Sequence, residues 1–174
     1  MGPHWPGKEF LIRVREFLNE FEDTVEDAFV RLSGLSDEES AAASTEGKWC
    51  PKEIIGHLID SAANNHPRFV RAQMQDDLVF SGYDQERWVD LQRYRDSEWS
   101  ELLVLWRSYN RHLINVMRRA SDEALKRPRE NHNLNEIAWQ TVPAGEPVTL
   151  EYFMRDYIGH LNNHLQQIFK AKYQ

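Results

Sequence analysis

The chain contains seven histidines, and two of them, His160 and His164, stand four residues apart. On a helix that spacing puts both imidazoles on one face, with Cβ atoms about 6 Å apart. Two such rings can converge on one metal ion at ~2.0–2.1 Å. The pair also admits a plainer reading, because in a chain with seven histidines the spacing arises by chance. It is not a zincin motif, since Leu161 stands where that motif places Glu. Nor is it a ferritin-like di-iron pattern, which needs Glu three residues before His on two helices. Tyr157 and Ile54 occupy those positions before His160 and His57.

His57 has polar neighbours at helical steps: Glu53, Asp60, Ser61 and Asn64. They form a polar stripe beside the apolar stripe of Ile54, Ile55, Leu58 and Ile59. A polar stripe on a packed helix needs partners. A buried site would supply them, and so would solvent.

Four long segments with helical periodicity must position these residues. The first, about Lys8 to Ser33, repeats Phe10, Val14, Phe17, Phe21, Val25, Ala28 and Leu32. Gly34 then reads as a left-handed stop, and Ser36 to Glu39 as a capping box. The second begins at Cys50-Pro51-Lys52-Glu53, with proline where a helix tolerates it. Pro67 predicts a kink or break near Asn64–His66. The third spans about Ser97 to Ala120. The fourth spans about Leu150 to Lys172 behind Thr149, a good N-cap. A short helix is expected between Ser81 and Tyr94, and one turn near Leu134–Trp139 within a long polar loop. The sum is an all-α fold, a helix bundle with connections long enough to cross over, in one domain over residues 1–174.

Length and composition exclude several classes. With 174 residues, about one domain is expected. One cysteine, Cys50, rules out an intramolecular disulfide framework and any multi-cysteine metal site. No apolar run approaches the ~18 residues of a membrane span. Met1 to Lys8 lacks the apolar core of a secretory signal, so a cytoplasmic location is expected. The net charge of −7 argues against nucleic acid as a partner.

Two stretches carry a family resemblance. Residues 47–62, Gly-Lys-Trp-Cys-Pro-Lys-Glu-Ile-Ile-Gly-His-Leu-Ile-Asp-Ser-Ala, resemble a Trp-Ser-x-x-Glu-x-x-x-His-Leu-x-Asp pattern. Residues 159–168, Gly-His-Leu-Asn-Asn-His-Leu-Gln-Gln-Ile, resemble its closing His-x-x-x-His-x-x-Gln-Ile pattern. Both belong to the DinB superfamily, including its YfiT-like metal-dependent hydrolases. The resemblance implies a four-helix bundle with crossover loops. It also implies a metal site made by His57, His160 and His164, holding a divalent ion. Nickel and zinc lead, with manganese and iron as further candidates. It implies hydrolysis or transfer involving a low-molecular-weight thiol such as bacillithiol or mycothiol, a small-molecule substrate, and a homodimer. One departure is Cys50, where the family has Ser. Its thiol is a weaker cap, and a helix N-terminus can also activate a thiol.

Three imidazoles would leave a coordination position open, which is the arrangement of catalytic rather than closed sites. There an ion lowers the pKa of water towards ~7 or deprotonates a thiol. Asp60, one turn from His57, is the candidate general base. Asp156, one turn before His160, is a candidate to hold an imidazole N–H. Tyr83, Asp84, Arg87 and Trp88 are placed to line the bundle mouth. Arg68 and Arg71 read as surface charge, with an anionic substrate as the alternative. His66 is about 13.5 Å along a straight helix from His57, too far to share its ion unless a kink at Pro67 folds it back. His112 reads as a packed or exposed residue, and His132 as a loop residue. Trp88 and Tyr94 are candidate dimer contacts. The alternative to an enzyme is a bundle that uses the ion for stability, sensing or partner binding.

Overall fold

The computed structural model describes residues 6–171, with side chains described from Arg13 to Lys170. Four long helices dominate: α1 (Pro6–Ser33), α3 (Pro51–Arg71), α5 (Trp99–Arg118) and α8 (Leu150–Ala171). Short helices fill the connections: α2 (Asp37–Ala41), α4 (Gln85–Gln92), α6 (Asp122–Lys126) and α7 (Leu134–Ile137). A 3-10 turn, Tyr94–Asp96, follows α4. His4 and the side chain of Phe10 lie outside the described residues.

Side-chain contacts give the direction of each helix. Arg155 lies over the Phe17 ring, Phe21 meets Tyr157 edge-on, and Arg31 lies over Phe169. Early residues of α1 thus meet early residues of α8, so the two run parallel. Trp99 Nε1 donates to the Leu32 carbonyl, and Arg118 pairs with Glu22, so α5 runs antiparallel to α1. Phe69 packs on Phe153 while His57 meets His164, so α3 runs antiparallel to α8. The order is up, down, down, up. Because α3 and α5 point the same way, residues 72–98 must cross back along the bundle, and α4 lies in that crossover.

Periodicity forms these helices. Val14, Leu18, Phe21, Val25, Ala28 and Leu32 of α1 are buried at three- and four-residue steps. They join Ile55, Leu58, Trp106, Leu113, Phe153 and Leu161 in one contiguous apolar core. Ser36 and Glu39 form the expected capping box, and Thr149 Oγ1 accepts from the Tyr152 amide at the start of α8.

Three local expectations differ from the structure. The helix does not break at Pro67, because α3 continues to Arg71. Pro67 is exposed, so its ring meets solvent, and burial of the neighbouring Phe69 holds the last turn in place. Gly34 is not left-handed. α1 ends through tightened bonds from Gly34 N to Arg31 O and from Leu35 N to Leu32 O. The left-handed cap falls instead on Arg93, which closes α4 with φ 51°. Tyr94 is buried, which removes it as a dimer contact.

The long loop is pinned by single bridges, Leu78 to His132 and Arg129 to Val148. Asn133 adds bonds to both the amide and the carbonyl of Phe80. These clasps hold the segments around Tyr83 and Trp139 against α3 and α8.

Candidate metal centre

α3 and α8 bring His57 together with His160 and His164, which lie more than a hundred residues further along the chain. His57 Nε2 lies 3.2 Å from His160 Nε2. Ring centroids are 5.1 Å apart for His57 and His160, 4.8 Å for His57 and His164, and 4.6 Å for His160 and His164. One nitrogen from each ring lies within 4.8 Å of the others. Ligand atoms each ~2.0–2.1 Å from a common ion lie a little over 3 Å apart in a tetrahedral set, so the His57–His160 spacing fits.

The environment keeps these rings neutral. Burial and the neighbouring imidazoles push His57 down to about 3, and burial with His164 pushes His160 down to about 4. Burial also lowers His164, against an opposing bond to Gln167. His164 Nδ1 stands 3.2 Å from Gln167 Oε1. A proton donated there leaves the Nε2 lone pair free, as a metal ligand requires. Gln167 is three residues after His164, a helical step that marks it as a neighbour. His57 is 1% exposed, and its Nδ1 has no partner among the described residues. The Trp49 ring packs 5.2 Å from the His57 ring.

A cavity of about 590 Å³ opens beside this cluster. His160 and His164 line it, with Trp49, Ser61, Tyr83 and Trp139. Tyr83 and Asp84 thus reach the mouth as expected, whereas Arg87 and Trp88 are not among the lining residues. Trp88 packs on the Tyr83 ring instead. Gly159 lets Trp139 lie against α8, since a Cβ there would sit 2.9 Å from its ring.

The two carboxylates have other partners. Asp60 Oδ1 accepts from Tyr94 OH at 2.7 Å and from Gln92 Nε2 at 2.8 Å. Its Oδ2 is buried without a partner among the described residues, and burial raises its pKa. Asp60 is not among the residues that line the cavity. Asp156 accepts from the backbone amides of Trp139 and Gln140, so both its oxygens anchor the loop rather than an imidazole. Neither partner set was visible in sequence, because both come from loops far along the chain.

The remaining histidines lie apart. His66 Nε2 is 3.2 Å from His112 Nε2 across α3 and α5. His132 accepts from the Leu134 amide and bonds the Glu146 carbonyl, stapling the loop. Cys50 is fully buried, and burial raises its pKa. Its amide donates to Glu53 Oε2 at 2.8 Å, so the N-terminus of α3 is capped from the Glu53 side.

A helical bundle with three neutral imidazoles converging beside an open cavity has the donor set of a divalent-metal protein. Residues 20–168 match the DinB superfamily, and the chain belongs to it. It is 22% identical over 134 residues to a Bacillus subtilis protein named "Putative metal-dependent hydrolase YfiT". That match covers 77% of this chain and 70% of the relative. A relative of the same description, OB0782 of Oceanobacillus iheyensis, is 29% identical over 83 residues, covering 48% of each chain. The solved YfiT structure, reported as a four-helix bundle of unusual topology, superposes with a TM-score of 0.73 at 20% identity. It covers 99% of this chain and 91% of that one. A mycothiol-dependent maleylpyruvate isomerase superposes with a TM-score of 0.53 at 15% identity, covering 96% of this chain and 60% of that one. These likenesses define the fold.

Proposed function

We propose that this chain is a metal-dependent enzyme acting on a small molecule in the cavity beside His160 and His164. His57, His160 and His164 would hold the divalent ion, with nickel or zinc leading on the imidazole donor set. Hydrolysis or transfer to a low-molecular-weight thiol is the reaction class. The observation that carries this reading is the position of the cluster on a cavity wall. A closed structural site would use a fourth protein ligand, and no fourth His, Cys, Asp or Glu joins the group among the described residues.

When bound, the ion supplies an open Lewis-acid position for water or a thiol. The chain's own groups do the rest. Trp49 packs against the His57 ring and fixes its plane. Gln167 would set the His164 tautomer by accepting from its Nδ1. Trp139 and Tyr83 wall the cavity and restrict water. Asp60 is the proton acceptor of this proposal. Its raised pKa suits that task. It lies behind the wall, where its charge acts on Tyr83, a residue that lines the cavity.

The test is spectroscopic and then catalytic. Cobalt- or nickel-loaded protein is titrated with azide, and the ligand-field bands are followed. A saturable change is expected, followed by turnover within a panel of esters, amides and thiol acceptors. A spectrum blind to azide would favour the non-catalytic metal-binding bundle. No helix among the described residues is long and apolar enough to cross a membrane. A buried free thiol at Cys50 suits the reducing cytoplasm proposed here.

A further inference from the structure

Three cations are buried among the described residues: Lys52, Arg68 and Arg129. Two have structural employment. Lys52 pairs with Asp37 at 2.7 Å. Arg129 donates to the carbonyls of Ala72, Arg127 and Ala124, and Asp76 and Asp77 act on its charge. Arg68 is different. It is 6% exposed, yet it has no carboxylate partner among the described residues. Its guanidinium donates to the Ser81 carbonyl at 2.6 Å and reaches Asn65 Oδ1 only at 3.5 Å. Three of its five N–H groups have no protein acceptor among the described residues. A buried charge without a counterion is costly, so the fold keeps this one against a penalty.

Arg68 also lines the cavity beside His160 and His164. It follows His57 by eleven residues, which is about 20° from the same face of α3 and about 16 Å along its axis. Ser61 and Asn65 lie between them on the cavity wall. The polar stripe of α3 therefore runs from the histidine cluster at one end to an unpaired guanidinium at the other.

We infer that Arg68 is the anchor for a carboxylate group of the small molecule that occupies this cavity. This deepens the proposed function and rests on that reading only for what happens at the histidine end. A carboxylate fits the free edge of a guanidinium with two parallel charge-assisted bonds. Phosphate shares that chemistry, but Asp84, Glu86 and Glu136 also line the cavity and are exposed. Their charge opposes a phosphate, which concentrates up to two negative charges on one group, more than a carboxylate group, which carries one. Among the described residues, the one ionisable neighbour that acts on Arg68 is Tyr83, pushed up to about 12 by burial and therefore neutral at pH 7. Among the described residues no protein group supplies an anion to it.

The test is an NMR titration of the full chain, treated with chelator, at constant ionic strength. The probes are succinate, inorganic phosphate and uncharged succinamide. Readouts are the Arg68 side-chain Nε–H and the amides of residues 81–83. Succinate is expected to shift these saturably, phosphate to bind more weakly, and succinamide to leave them unchanged. Arg68→Gln is expected to weaken succinate at least about tenfold, the loss of one charged hydrogen-bond pair. Arg68→Lys is expected to fall between, and Arg71→Gln, an exposed neighbour, to bind as wild type. Should Arg68→Gln not fold, the wild-type Nε–H shift and Arg68→Lys decide. Unchanged succinate binding in a folded Arg68 variant would overturn the inference, as would phosphate binding more tightly than succinate. Succinate binding that appears only after nickel loading and ignores Arg68 would place the anion on the ion, and would also overturn it. Because the first titration needs no metal, its failure is separate from failure of the metal site.

Discussion

His57 and His160 are 103 residues apart in sequence, and their Nε2 atoms are 3.2 Å apart in the structure. Two neutral imidazoles at that distance can share one proton, or both can point lone pairs at a cation. A shared proton would satisfy only two nitrogens and leave the third ring, His164, out, whereas a cation could take a lone pair from all three. Its Nδ1 faces Gln167 Oε1, and a proton donated there would leave Nε2 with a free lone pair.

Without metal, this cluster should make stability sensitive to mild acid. Above pH 6.5 the imidazoles are neutral folded and unfolded, so they add no pH dependence. Below it the unfolded chain takes up protons that buried His57 and His160 refuse down to about 3 and about 4. The unfolded state is then favoured, by about 1–2 kcal/mol per buried histidine at pH 5. Asp60 and Asp156 act with the opposite sign, since their raised pKa values favour the folded state as pH falls towards the ordinary carboxylate range. Denaturation of chelator-treated wild type and His57→Gln at pH 7.5 and 5 isolates the histidine part. Wild type is expected to lose more stability than the variant, and equal losses would contradict it.

Gly56 should resist substitution. A Cβ there would run into the Tyr94 ring, whose hydroxyl bonds Asp60. Overpacking of this kind costs about 1–3 kcal/mol. Gly56→Ala is expected to lower the melting temperature, and an unchanged value would show that Tyr94 has room to move.

Cys50 should be inert while the chain is folded. It is buried and its thiol is held protonated by burial. A thiol-reactive dye is expected to label it only at the rate of unfolding, with full labelling in denaturant. Fast labelling of the native chain would overturn this assignment.

Asp60→Asn should separate proton transfer from folding. The amide oxygen can still accept from Tyr94, so the fold and metal content are expected to survive. Once an active substrate is found, the acidic limb of its pH–rate profile should be lost. A profile identical to wild type would remove Asp60 from the mechanism.

Much of the fold was legible because amphipathic periodicity repeats over whole helices. The stripes of α1 and α8 set both their lengths and their buried faces. The histidine pair on α8 was legible from one helical step, whereas His57 joined it through the family resemblance, because its polar stripe fitted solvent as well as a site. Pro67 misled, because local propensity gave no account of Phe69 burying itself on Phe153 and Tyr157 beyond it. The cavity walls were not legible. Trp139 reaches the site through Asp156, and Tyr83 through the clasp between Phe80 and Asn133, so each depends on pairing between distant loops. Arg68 read as surface charge for the same reason: the Ser81 carbonyl that covers it is in the crossover.

The most direct test of the central claim is metal content per chain in untagged protein after reconstitution with nickel, zinc or manganese. Wild type is compared with His57→Ala and His160→Ala. About one ion per wild-type chain is expected, and each variant should lose it while remaining folded. No bound ion in wild type, with a melting temperature unmoved by any of the three metals, would contradict the account.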